Sequence, residues 1–288
     1  MLLGFTDYSA QARALALEMG LTYLEVAVHQ FPDGESKVTL PGSVPDRLVV
    51  CRSLDHPNSK LVELLLTART AREMGADHLT LVAPYLCYMR QDIAFHPGEA
   101  ISQKIVGAFL ATLFDAVVTV DPHLHRIDSL DEAIPLESSV ALSAAPLMAS
   151  FLAQQHNPVL IGPDSESLQW VRSIAELCNL DYCVGSKERL GDREVKIQLP
   201  DLDLGDRNVV LVDDVVSSGE TVAVAAQICL AAGAKRVDVL VTHALFAPGA
   251  EQRMHQAGVS EIWSTDSINH TSNSIHLTPL LSKFLQNF

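Results

Sequence analysis

A repeated strand–helix–strand cassette is the feature that most narrows the folds open to this sequence. Asp46-Arg47-Leu48-Val49-Val50 leads into a helical pattern that stops at Gly75, and Asp206-Arg207-Asn208-Val209-Val210 leads into another that stops at Gly233. The leading segments are offset by 160 residues (46 to 206) and the glycine stops by 158 (75 to 233), so the difference falls in the loop between strand and helix. The stops read Met74-Gly75-Ala76-Asp77 and Ala232-Gly233-Ala234-Lys235, each followed by an apolar strand. Short apolar runs predict strands at residues 48–51, 79–83, 116–120, 159–161, 209–212 and 237–241, with longer helical patterns between them. That alternation builds mainly parallel sheets, because parallel neighbours need crossover helices. One helix is expected over 59–74, with Ser59 as its N-cap and Gly75 as its stop, and another over 220–232, stopped by Gly233. Duplication implies two similar α/β domains, 1–144 and 145–288, meeting near Leu142-Ser143-Ala144-Ala145-Pro146 without a low-complexity linker.

The 288 residues suffice for two full cores, and 48% hydrophobic with 19% charged residues excludes disorder as the main theme. Lys and Arg number 20 against 35 Asp and Glu, a formal net charge of −15 that repels nucleic acid and anionic lipid surfaces. An anionic ligand must then be held locally, by backbone N–H groups, a few Arg or Lys side chains and a divalent metal. The five cysteines are odd in number and scattered, which fits a reducing cytoplasm better than a disulfide framework. No apolar run approaches the ~18 residues of a membrane span, and the N-terminus lacks a basic segment before an apolar core. A cytoplasmic protein without membrane or nucleic-acid partners is expected.

The two copies differ where the strand gives way to the helix. The second carries Asp213-Asp214-Val215-Val216-Ser217-Ser218-Gly219-Glu220-Thr221, and the first carries Arg52-Ser53-Leu54-Asp55-His56-Pro57-Asn58-Ser59. Ligands of α/β sheets bind beyond the carboxyl ends of the strands, and a helix N-terminus with hydroxyl side chains suits a phosphate. Asp213 and Asp214 would repel that phosphate, so they must face sugar hydroxyls or a metal while the Ser217–Thr221 turn takes the phosphate. A ribose phosphate satisfies both. Taken alone, Ser and Asp at the start of a helix are also an ordinary cap.

This run resembles the phosphoribosyl diphosphate binding loop of the type I phosphoribosyltransferase fold. Further segments extend the resemblance over nearly the whole chain, to the ribose-phosphate diphosphokinase family, itself built from two such tandem domains. Phe31-Pro32-Asp33-Gly34-Glu35 is similar to the family's nucleotide-contacting segment, and Arg90-Gln91-Asp92 followed by Phe95-His96-Pro97-Gly98-Glu99 to its ATP-binding loop. Asp121-Pro122-His123 resembles the segment whose His holds nucleotide-linked Mg²⁺, with His125 a neighbouring alternative, and Gly162-Pro163-Asp164 the one that supplies an Asp to metal. Lys187-Glu188-Arg189 resembles the mobile catalytic Lys and Arg, in a polar stretch with the composition of a flexible loop.

The resemblance implies transfer of diphosphate from ATP to the C1 hydroxyl of ribose 5-phosphate, with Mg²⁺ as cofactor. It assigns Lys187 and Arg189 to catalysis, and Phe31, Asp33, Gly34, Glu35, Arg90, Gln91, Asp92 and His123 to ATP. Ribose 5-phosphate falls to Arg189, Asp213, Asp214, Ser217, Ser218, Gly219, Glu220 and Thr221, and metal to His123 and Asp164. A homo-oligomer is expected on the same ground, since the family builds its nucleotide site partly from a neighbouring subunit's 31–35 segment. Several residues depart from the family pattern: Ile93, Pro122, Ser165-Glu166-Ser167, Glu188 and Glu220. Two alternatives stay open. A phosphoribosyltransferase needs no ATP segment and would release diphosphate only with a base, and a silent regulatory homologue would do neither.

Overall fold

The computed structural model describes residues 1–189, 195–198 and 204–286, with backbone alone at 187–189 and 195–198. The packing divides into two units. The first begins β1 (Leu2–Gly4), α1 (Ser9–Glu18), β2 (Tyr23–Glu25), β3 (Ala27–Gln30), β4 (Ser36–Thr39), β5 (Arg47–Cys51) and α2 (Pro57–Glu73). It continues with β6 (His78–Ala83), α3 (Ser102–Ala111), β7 (Ala116–Val120) and β8 (Ser138–Leu142). The second runs α4 (Ala145–Leu152), β9 (Val159–Gly162), α5 (Leu168–Cys178), β10 (Tyr182–Val184), β11 (Ser186–Arg189), β12 (Val195–Gln198) and β13 (Asn208–Val216). It is completed by α6 (Glu220–Ala231), β14 (Arg236–Ala244), α7 (Ala250–Gln256), β15 (Val259–Thr265) and β16 (Asn273–Ile275). The last helix, α8 (Thr278–Leu285), groups with the first unit and packs on α1, so a cut at 144/145 separates the sequence repeats but not all of the packing.

Each unit is built on a six-stranded sheet, β2-β1-β5-β6-β7-β8 in the first and β10-β9-β13-β14-β15-β16 in the second. Every pairing within them is parallel. Counted along its own unit, each sheet has the order 2-1-3-4-5-6. Each unit also inserts a two-stranded antiparallel ribbon between its second and third main strands, β3-β4 in one and β11-β12 in the other. Identical strand order and identical insertions are what duplication produces.

The central strands are buried on both faces, as a parallel sheet between helical layers requires. Leu48, Val50, Leu79, Leu81 and Val117 pack with Leu64, Ala68 and Leu110 in the first core. Val159, Ile161, Val209, Leu211, Val237 and Val239 pack with Ala225 and Cys229 in the second. In both copies the turn after the helix is tied back to the start of the first strand: Asp46 O accepts from the N–H groups of Asp77 and His78, and, one residue further along, Arg207 O accepts from that of Lys235. Gly75 and Gly233 stop their helices with φ of 105° and 91°, a conformation that favours glycine.

Two expectations need correction. Helix α2 starts at Pro57, whose fixed φ suits the first helical position, so His56 occupies the cap and Ser59 lies inside the first turn. Strand β13 does not stop at Val212 but continues to Val216, because β14 extends alongside it to Ala244 and supplies partners there. Strand β1 and the edge strands β2, β10 and β16 have only three residues each, too few for a periodic signal.

Gly162 ends β9 where the chain leaves the sheet, and a Cβ there would lie 2.2 Å from Ser167 Oγ and 2.4 Å from Val184 Cγ1. Gly162→Ala is expected to destabilise the fold by about 1–3 kcal/mol through overpacking. A lowered urea midpoint with an unchanged circular dichroism spectrum is the result to look for.

Candidate functional site

In the second unit the strand order reverses between β9 and β13, the switch point at which open α/β sheets leave a crevice beyond the strand ends. From β9 the chain passes through Gly162 and Pro163 to Asp164, which is buried and caps a short turn over Ser165–Ser167 by accepting from Glu166 N–H at 3.1 Å. Ser167 Oγ donates to Asp164 O at 2.6 Å. The departure from the family pattern at 165–167 is therefore accommodated by a capped turn, with Glu166 exposed.

From β13 come Asp213 and Asp214, inside the strand and not in the loop beyond it. Asp213 Oδ1 accepts from Asp214 N–H at 3.0 Å, and Asp214 Oδ1 from Val215 N–H at 2.7 Å. Desolvation first, then the negative charges of Asp214 and Asp164, hold the Asp213 carboxyl well above the ordinary carboxylate range. Asp164 and Asp214 thus lie close enough to Asp213 for their charges to be felt there.

Ser217, Ser218 and Gly219 then turn into α6, with Gly219 at φ 74°. A Cβ on Gly219 would come within 3.1 Å of Ala250 O and 3.3 Å of Met254 Cγ, so both conformation and space call for glycine. Ser217 O accepts from Ala247 N–H at 2.9 Å, and Glu220 N–H lies 3.4 Å from Ser218 Oγ. Arg253 of α7 donates through Nη1 to Ser218 O, and its Nε lies 3.3 Å from Glu220 Oε2. Thr221 sits in the first turn of α6.

Lys187 and Arg189 occupy alternate positions on β11, opposite Ile197 and Val195 of β12. Their backbone is thus part of the antiparallel ribbon, not a loop; their side chains, like residues 190–194, lie outside the described set.

In the first unit, residues 31–35 form the tip of the β3-β4 ribbon. Phe31 N–H donates to Glu35 O at 2.8 Å, Gly34 N–H to Phe31 O at 2.9 Å, and Glu35 N–H to Asp33 Oδ1 at 3.1 Å. These bonds fix a tip that leaves Phe31 41% exposed, one ring of an edge-on pair with His29. Arg90 is exposed, Gln91 Nε2 donates to Ile93 O at 2.8 Å, and buried Asp92 accepts from Arg126 Nη1 at 2.6 Å. Beyond β7, Asp121 and His123 both take positive φ, 39° and 55°, on either side of Pro122. His123 and His125 meet through their Nε2 atoms at 2.9 Å, so the two imidazoles form a pair.

Residues 1–113 match the family model of the N-terminal domain of ribose phosphate pyrophosphokinase, and residues 130–278 that of the phosphoribosyl transferase domain. The chain belongs to the ribose-phosphate pyrophosphokinase family. It is 33% identical to the ribose-phosphate pyrophosphokinase of Methanopyrus kandleri over 280 residues, covering 96% of this chain and 94% of the relative. To that of Thermococcus kodakarensis it is 33% identical over 267 residues, 92% and 93% of the two chains. The crystal structure of phosphoribosylpyrophosphate synthetase from Mycobacterium smegmatis superposes with a TM-score of 0.85 over 99% of this chain and 97% of that one; at 22% identity the likeness shows the fold.

Within this pyrophosphokinase framework the sequence reading missed Arg126, Arg253 and the pairing of His125 with His123. The one signal for Arg253 was indirect, since an acid at 220 beside a turn expected to take a phosphate calls for a cation. Nothing in the local sequence says that it comes from α7.

The raised pKa of Asp213 gives stability a definite pH dependence. Between its unfolded value, about 4, and its higher folded value, the folded chain binds the extra proton. The ligand-free protein is therefore most stabilised at the acid end of that window and loses stability as pH rises through the folded pKa. Asp213→Asn is expected to flatten this slope and raise the neutral-pH unfolding midpoint; thermal melts across pH check it, and an unchanged slope would count against the assignment.

Proposed function

We propose that this protein transfers the β,γ-diphosphoryl group of ATP to the C1 hydroxyl of ribose 5-phosphate, giving phosphoribosyl diphosphate and AMP. The observation that carries the reading is the switch point of the second unit. There an acid pair and a glycine-centred turn lie within residues 213–221, in a chain that belongs to the ribose-phosphate pyrophosphokinase family along nearly its whole length.

In this reading Asp213 and Asp214 accept hydrogen bonds from the ribose hydroxyls or bind a metal, and the Ser217-Ser218-Gly219-Glu220-Thr221 turn takes the 5-phosphate at the positive end of α6. Phe31 offers an aromatic face to the adenine, with Asp33, Gly34 and Glu35 shaping the ribbon tip. Arg90 offers a planar cation, Gln91 braces its own loop, and Asp92 ties that loop down through Arg126. As the O1–Pβ bond forms, the bond from Pβ to the α,β-bridging oxygen breaks and the hydroxyl proton is released. Lys187 and Arg189 neutralise charge on the transferring group, and Arg189 also contacts the ribose 5-phosphate side.

Mg²⁺ fits the donors present. Asp164, whose charge adds to that of Asp213 and Asp214, would hold it in the second unit, and His123 in the first. When bound, it draws negative charge from phosphoryl oxygens. The exposed Phe31 at a ribbon tip supports a homo-oligomer in which this segment serves a neighbour's site. The five free cysteines and the need for ATP support a cytoplasmic setting. Among the described residues no helix is long and apolar enough to cross a membrane.

Incubation with ATP, Mg²⁺ and ribose 5-phosphate is expected to release AMP only when the sugar is present. Diphosphate release that depends on a base would point to a phosphoribosyltransferase, and silence in both assays to a regulatory homologue. Lys187→Ala is expected to lower turnover by roughly 10² or more with smaller changes in substrate affinity. Its folding should stay intact by calorimetry, and near-wild-type turnover would remove the ribbon from the mechanism.

A further inference from the structure

Two carbonyls of the phosphate turn are held from outside it. Ser217 O accepts from Ala247 N–H and Ser218 O from the Arg253 guanidinium, so both face the segment that carries α7. In a trans peptide the C=O of one residue and the N–H of the next point to opposite sides. The N–H groups of Ser218 and Gly219 are therefore displayed on the face turned away from α7. The guanidinium that fixes one of these peptides also pairs with Glu220, the acid in the first turn of α6. That acid is anomalous at a site for a dianion, because a carboxylate beside a phosphate lowers its affinity by like-charge repulsion.

We propose that Arg253 is a positioning residue for ribose 5-phosphate. It locks the 218–219 peptide so that the Gly219 N–H meets the 5-phosphate, and it holds the Glu220 carboxylate to the α7 side with its charge compensated. Arg253 acts through the turn, since its guanidinium engages the carbonyl side of that peptide. The Glu220–Arg253 pair thus functions as a unit: the cation makes the acid tolerable, and the acid keeps the guanidinium in reach of Ser218 O. The packing of Gly219 against Ala250 and Met254, both on α7, puts the cation and the turn in a fixed relation. This inference rests on the assignment of the turn to the 5-phosphate in the proposed function.

The test is calorimetric titration of the whole protein with ribose 5-phosphate and, separately, with ATP and Mg²⁺, backed by steady-state kinetics. Arg253→Ala should weaken ribose 5-phosphate binding roughly tenfold or more, leave ATP binding unchanged, and raise KM for the sugar while kcat at saturation stays within about twofold. Arg253→Lys, which keeps the charge but not the forked donor, should fall between. Removing the repulsion by Glu220→Gln in the Arg253→Ala background should restore part of the affinity, because the acid left uncompensated causes part of the loss. Wild-type affinity for the sugar in Arg253→Ala overturns the inference, as does an equal loss for both ligands or a double variant no better than Arg253→Ala. If the unmodified protein binds no ribose 5-phosphate, the functional reading fails together with it; if it binds and Arg253→Ala binds equally, only the role of Arg253 fails.

Discussion

Parallel strands covered on both faces leave their carboxyl-end edge as the place where polar chemistry can gather. Strands β6, β7 and β14 are paired on both sides and almost entirely buried. Acidic side chains concentrate at the point where the strand order reverses. In the second unit that point lies between β9 and β13, and it gathers Asp164, Asp213, Asp214 and the turn at Gly219. Desolvation, and then the like charges of Asp214 and Asp164, push the Asp213 carboxyl up.

The duplicated scaffold uses the same point differently in its first copy. There the region beyond β1 and β5 is filled by an internal ion cluster. Arg52 pairs with Asp7 at 3.2 Å and Glu63 at 2.6 Å, and Lys60 with Asp7 at 2.9 Å and Asp55 at 2.8 Å. Arg52 also lies over the Phe5 ring, and Lys60 donates to Ser53 O. The charges of this cluster satisfy one another, and Ser36 joins it through Glu63, tying in the ribbon that carries residues 31–35. The ribbons correspond as well: the tip with Phe31 and the strand with Lys187 and Arg189 are insertions at the same place in the two units. One architecture thereby carries a ribbon at the same position in each copy.

The departures from the family pattern find local physical accounts where side chains are described. Ser165-Glu166-Ser167 becomes a turn capped by Asp164, and Glu220 finds Arg253. Ile93 is a partly buried residue whose carbonyl braces Gln91, a role that depends on its backbone and not on its side chain. Pro122 sits buried between two residues of positive φ, in a bend that places His123 beside His125.

The sequence by itself determined the parallel α/β class, the duplication, the central strands and the acid-turn motif, because these rest on local periodicity and on residues adjacent in the chain. Buried strands such as Ala116–Val120 and the glycine stops at 75 and 233 declare themselves in a few residues. Tertiary structure alone decided the strand order, the three-residue edge strands, and the continuation of β13 through the acid pair to Val216, which depends on β14 lying alongside. It also decided which distant side chains meet within each unit: Arg126 on Asp92 in the first, and Arg253 on the turn at 218–220 in the second. Such contacts join residues far apart in sequence, and no periodicity records them. They exist only because packed helices and a fixed strand order bring the chain back to the same place.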